Sequence, residues 1–444
     1  MILHDKIAAQ LPTWRERVRK LTKDYGDVVI DQVTAGQVYG GMRDIKSLVT
    51  DISYVDPAKG ILFRGYSIPE VVAALPKPDG AAAPYLGGLY YLLLLGEVPT
   101  KAEAEEVEHE WAERSRVPDY VFEFIESMPR TTHPMVLFSM AVISLQAQSE
   151  FAKKYSEGMK KDAYWEPTLQ DSMNLIGKLP TIASFIYRWR FKTINVPPVS
   201  VDPALDFGAN FAKMMGVEDQ DGYADLSRLY FLIHSDHESG NVSAHTTHLV
   251  ASALSDAYFA FAAGLNGLAG PLHGLANQEA LSWLLSVRKH FGGVPSREQL
   301  HQYSWDSLNG GNVIPGYGHA VLRVPDPRFI ALLQFAKERF PKDELVQLAD
   351  LVYEVVPQVL KEQGKSKDPA PNLDAISGTL QHYYGIREPN FYTVLFGVGR
   401  ALGVLANLVL ARALGQPIER PKSLTTRMLE DAVQKETAGT ATAK

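Results

Sequence analysis

Residues 392–414 are apolar on nearly every face, yet Arg400 sits in the middle of them. A helix that is apolar all round has no side to offer to water, so it belongs at the centre of a larger assembly of elements. Arg400 tightens that constraint. A guanidinium does not shed its proton, and burying it costs several kcal/mol unless an anion answers it. No Asp or Glu lies between Glu388 and Glu419, so the answering anion is either a carboxylate distant in sequence or a ligand.

What packs around such a helix reads as more helices. Periodicity predicts helices at 4–20, 118–127, 135–148, 168–192 (kinked at Pro180), 205–215 and 223–233, then one long apolar helix at 245–264. Further helices fit 278–291, 328–339, 344–361 and 373–384. Thr100 with Glu103, and Ser296 with Gln299, are capping boxes that open two more. Strand patterns are confined to 27–34 and 61–68. Residues 75–85 and 195–203 read as loops, and the small polar tail 436–444 as a frayed end. The fold class is all-α, with minor short β-strands.

Composition narrows the function. A formal charge of −7 argues against a nucleic-acid partner. The absence of cysteine removes disulfides, thiolate metal sites and a thiol nucleophile. Apolar runs such as 86–96 and 401–411 fall short of the ~18 residues a membrane span needs. The first twenty residues lack an apolar signal core and make a poor transit peptide, so a cytosolic protein is expected. An organelle protein whose presequence was omitted is the alternative, and it would lie in the mitochondrial matrix.

Four segments concentrate chemistry. In 264–279 a break at Gly270-Pro271 delivers His273 to the start of a new helix. The unpaired N–H groups there disfavour a second positive charge, so the imidazole is expected to stay neutral and able to donate to a developing oxyanion. In 234–248 the pairs His234/His237 and His245/His248, with Asp236 and Glu238, invite a metal reading. In 313–328 a Pro-Gly-Tyr-Gly turn leads to His319, Arg323 and Arg328. The fourth is Pro-Asn-Leu-Asp-Ala, with Asp374 near a helix start. Several arginines suit a small molecule with two or three carboxylates, and a histidine with a lone aspartate suits proton removal beside a carbonyl.

The motifs Gly-Leu-Ala-Gly-Pro-Leu-His-Gly-Leu-Ala-Asn-Gln-Glu, Pro-Gly-Tyr-Gly-His-Ala-Val-Leu-Arg, Pro-Asn-Leu-Asp-Ala and Phe-Gly-Val-Gly-Arg-Ala-Leu-Gly, in this order, closely resemble citrate synthase from about residue 39 to 423. The resemblance implies a homodimer with a large helical domain (1–275 and 383–444) and an inserted small domain (276–382) that closes over the substrates. It implies that Asp374 takes a methyl proton from acetyl-CoA, His273 stabilises the enolate and His319 polarises the ketone of oxaloacetate. His237, Arg328 and Arg400 would hold oxaloacetate carboxylates, with Arg420 arriving from the other subunit. Arg43, Lys161, Arg323, Lys365 and Lys367 would lie near the CoA phosphates, and the backbone of Val313, Ile314, Gly316 and Gly318 along the adenine. No metal and no permanently bound cofactor are implied; acetyl-CoA is a cosubstrate. Lys161, Ser239 and Ile376 depart from the usual arginine, glycine and histidine. Three other functions stay open at this point: 2-methylcitrate synthase, which uses propionyl-CoA; a metal-dependent hydrolase built on the four histidines; and a helical binding protein without catalysis.

Overall fold

A computed structural model of the chain describes residues 1–192, 198–318, 321–365 and 368–442. Helix Tyr392–Ala413 is the axis, with every residue buried except Asn407 and Ala411. Around it pack Leu86–Leu95, Trp165–Phe191, Gln220–His234, Val242–Ser252 and Ala257–Leu268. Its glycines let these neighbours approach closely. A Cβ on Gly399 would stand 3.0 Å from the Phe231 carbonyl oxygen, and one on Gly403 would meet the Ser235 oxygen at 2.4 Å. By length and composition, Pro134–Ser156 and Pro389–Ala413 could each cross a bilayer, contrary to the reading of shorter runs; 89% of the latter's apolar window is buried inside the protein.

A second group of helices, Ala276–Phe291, Arg297–Asn309, Pro327–Arg339, Glu344–Gln363 and Asp374–Tyr383, packs mainly on itself. Both capping boxes form, at Thr100 and at Ser296. The expected helix 245–264 is instead two helices. Asp256 accepts from the backbone N–H groups of Tyr258 and Phe259, starting a new helix, and Leu254 turns through φ 65° to let it do so.

Among the described residues the β structure is one small antiparallel sheet of three strands in sequence order: β1 (Ser53–Asp56), β2 (Gly60–Phe63) and β3 (Tyr66–Ser67). Residues 27–34 form no strand, because no described segment offers them a ladder. Val28, Val29 and Ile30 lie largely exposed there. The C-terminal tail also differs, continuing as helix Thr426–Thr442.

Candidate active site

His273 lies between helices Ala257–Leu268 and Ala276–Phe291, three residues short of the second. Its Nε2 accepts a hydrogen bond from the Ser243 backbone N–H at 3.3 Å and lies 2.9 Å from the Ser243 hydroxyl. A backbone N–H can only donate, so Nε2 carries the lone pair and the ring proton sits on Nδ1. Nδ1 has no protein partner among the described residues. Burial, then the nearby Arg400 charge, pull the imidazole down to about 4. The expected neutrality is therefore present, with a different cause. The N–H that engages the ring belongs to the first turn of helix Val242–Ser252, not to the helix that follows His273.

Asn241 ties this histidine to Arg400. Its Oδ1 caps helix Val242–Ser252 through the Ala244 N–H, accepts from the Ser243 hydroxyl at 2.9 Å, and accepts from Arg400 Nη1 at 3.1 Å. Its Nδ2 donates to the carbonyls of His237 and Glu238. Arg400 further donates from Nε to the His234 carbonyl and lies over the Phe396 ring, one turn earlier on its own helix. No carboxylate comes within 4 Å of it among the described residues; the charge of Asp236 acts on it from farther away. Burial lowers the Arg400 guanidinium to about 10 and raises the Asp236 carboxyl to about 6.

Arg328 opens helix Pro327–Arg339, whose cap residue Asp326 grips it through Nε and Nη2. Asp374 stands in the field of Arg328 and Asp326, at the start of helix Asp374–Tyr383. It is half-buried, and the packing around it raises its carboxyl to about 6. His234 is fully buried between these groups and is held near 3 by desolvation and by the charges of Arg328 and Arg400. One neighbourhood thus contains His273, Arg400, Arg328 and Asp374.

The Pro-Gly-Tyr-Gly loop reaches the same place through backbone pairing. Gly318 N–H donates to the Ala370 carbonyl, Asn372 N–H to the Gly316 carbonyl, and Tyr317 bridges Pro371. Gly316, at φ 82°, presses on Ala375 so closely that a Cβ would lie 2.7 Å from the Ala375 Cα. Only glycine permits this seat beside Asp374. His319 and Lys367 lie outside the described residues.

Arg43, Arg323, Lys365 and Arg420 are exposed, as is Val313, whereas Ile314 is buried. Lys161, in a short 3-10 turn, lies beside Gly415. The four histidines do not converge: His234 Nδ1 donates to the Tyr230 carbonyl, while His245 pairs with Glu419. Among the described residues no three potential ligands form a metal-sized group. Phe396, Asn241, Ser243 and Asp326 were missed from the sequence. Phe396 lies four residues before Arg400 on one helix face, and Asn241 and Asp326 are residue types that favour helix N-caps.

The family model for the C-terminal domain of citrate synthase matches residues 41–422. A mitochondrial citrate synthase of Saccharomyces cerevisiae is 51% identical over 98% of this chain and 90% of its own length. A mitochondrial 2-methylcitrate synthase of Yarrowia lipolytica is 49% identical over 97% of this chain and 92% of its own. Among solved structures, citrate synthase from Pyrobaculum aerophilum superposes with a TM-score of 0.76 at 26% identity, covering 90% of this chain and 97% of that one. The chain belongs to the citrate synthase family. It is an acyltransferase that condenses acetyl-CoA with oxaloacetate to give citrate, and it needs no permanently bound cofactor. The cytosolic expectation is corrected, because relatives at about half identity over nearly the whole chain are mitochondrial enzymes.

Proposed function

We propose that the cluster around His273 is the condensation site, with the roles that family resemblance implies. The observation that carries this reading is the His273 tautomer: Nε2 is taken up by the Ser243 N–H, so a neutral ring presents Nδ1–H to a ligand. Asp374 removes a methyl proton from acetyl-CoA. A carboxylate raised to about 6 is a better base than an ordinary one near 4, but still far too weak for a free thioester. The His273 Nδ1–H therefore stabilises the enolate oxygen as charge develops on it, in a site too poor in water to do so itself. His319 polarises the oxaloacetate ketone, and the enol carbon attacks it. His237, Arg328 and Arg400 hold the substrate carboxylates; the incomplete anion pairing of Arg400 suits that task. Water then hydrolyses citryl-CoA.

Residues 1–275 and 383–444 form the large domain, and 276–382 close over it. The CoA phosphates and adenine meet Arg43, Lys161, Arg323, Lys365, Lys367 and the loop backbone of Val313, Ile314, Gly316 and Gly318. The working unit is a homodimer in which Arg420 crosses to the other subunit's oxaloacetate. An exposed apolar stripe, Val136, Met140 and Ile143 on helix Pro134–Ser144, supports a partner of the same kind. The mitochondrial matrix is the compartment this reading assigns.

Thiol release with acetyl-CoA, beside calorimetry with oxaloacetate, tests the roles. Asp374→Asn and His273→Ala are expected to abolish citrate formation and retain oxaloacetate binding. Near-normal turnover in either variant refutes its assignment. The 2-methylcitrate synthase relative gives a reason to run propionyl-CoA in parallel, since one methylene is worth only about 1–3 kcal/mol of discrimination.

A further inference from the structure

We infer that the small β-sheet is the frame that aligns the oxaloacetate pocket, and that Ser53 is its central positioning residue. The inference rests on the substrate roles proposed for His237, Arg328 and Arg400. Ser53, on β1, is 4% exposed and makes two hydrogen bonds to the segment bearing His237. Its Oγ donates to Asp236 Oδ2 at 2.6 Å and accepts from the Glu238 N–H at 2.8 Å. One hydroxyl thus brackets His237 from both sides. Two positions along, the Val55 N–H donates to Glu238 Oε1 at 2.7 Å. These bonds hold Glu238 at φ 58°, a left-handed conformation that a glutamate does not favour by itself.

The same sheet reaches the two arginines of the set. Asp236, fixed by Ser53, is the carboxylate whose charge favours the Arg400 guanidinium. The β1–β2 turn touches the segment leading to Arg328. The Arg323 N–H donates to the Pro57 carbonyl at 2.8 Å, and a Cβ on Gly60 would stand 2.4 Å from the Pro327 ring. At its far end the sheet is anchored to the large helical body, where Arg64 donates to the carbonyls of Leu93 and Leu94. Ser53 therefore acts through others. It sets where His237 and Asp236 stand, and a misplacement near 1 Å at such contacts costs about 100-fold.

The test compares Ser53→Ala, Ser53→Thr and Arg400→Lys in the full-length protein by steady-state kinetics, with thermal unfolding as the fold control. Ser53→Ala is expected to raise the oxaloacetate KM roughly 10- to 100-fold. Its kcat at saturating oxaloacetate stays within about threefold, and Ser53→Thr, which keeps the hydroxyl, recovers most of the KM. An oxaloacetate KM within about twofold of the parent in Ser53→Ala, beside a raised one in Arg400→Lys, overturns the framing role alone. An unchanged KM in both overturns the substrate assignments and this inference with them. Equal losses in kcat and stability that threonine does not rescue reduce Ser53 to a packing residue and also overturn it.

Discussion

Asp374→Asn should make the protein more stable while destroying its activity. Packing raises the Asp374 carboxyl from 3.8 to about 6, so the folded state holds its proton more tightly than the unfolded chain does. By linkage, stability then falls as pH rises through the interval between those two values, and the whole penalty is present above about 6. At 1.36 kcal/mol per pH unit the ionised form costs about 3 kcal/mol, and the partial exposure of Asp374 trims this to ~1–3 kcal/mol. Asparagine has nearly the same shape and no charge. Denaturant midpoints of parent and Asp374→Asn should therefore coincide near pH 4 and separate as pH rises, with the variant the more stable at pH 8 by ~1–3 kcal/mol. A gap that does not change with pH, or a less stable variant at pH 8, would falsify the claim that the base is held against its solvation preference.

The same carboxyl sets an acid limb. Proton removal requires ionised Asp374, so kcat/KM for acetyl-CoA should fall about tenfold per pH unit below about 6. His273, held near 4, should add no limb of its own above pH 5, and a second break between 6 and 7 would contradict its neutral state. Gly316→Ala must push the loop off Ala375, so kcat is expected to drop about 100-fold with the fold intact by circular dichroism. Normal turnover there would show that the loop's seat beside Asp374 is not needed. Arg339 pairs across helices with the buried Asp225, which also holds Arg228. Because Arg339 is partly exposed, Arg339→Ala should lower stability by only ~1 kcal/mol in urea, and an unmoved midpoint would leave the pair without a role.

Much of this molecule could be read before any coordinates. A nearly all-apolar 392–414 had to become the central helix, and Thr100/Glu103 and Ser296/Gln299 had to start helices, because burial pattern and capping act within one or two turns. The stretch 245–264 reads as one helix because apolar residues recur along both halves of it; the Asp256 cap that splits it is a local signal inside that pattern. The expected strand at 27–34 failed for a different reason. A strand exists only if another segment offers it a ladder, and that depends on distant chain.

The site divides along the same line. His273, Asp374, Arg328 and Arg400 stand out locally, as a break, a helix start and a charge in an apolar run. Their chemistry does not. The neutrality of His273 depends on a Ser243 N–H thirty residues away and on Arg400, and the raised carboxyl of Asp374 depends on what packs over it. Protonation states follow from solvation and from charges a few ångströms away, and only folding decides which residues those are. The order of residues specified the helices and the reactive groups; the packing of other helices around Tyr392–Ala413 decided their ionisation and what they can do together.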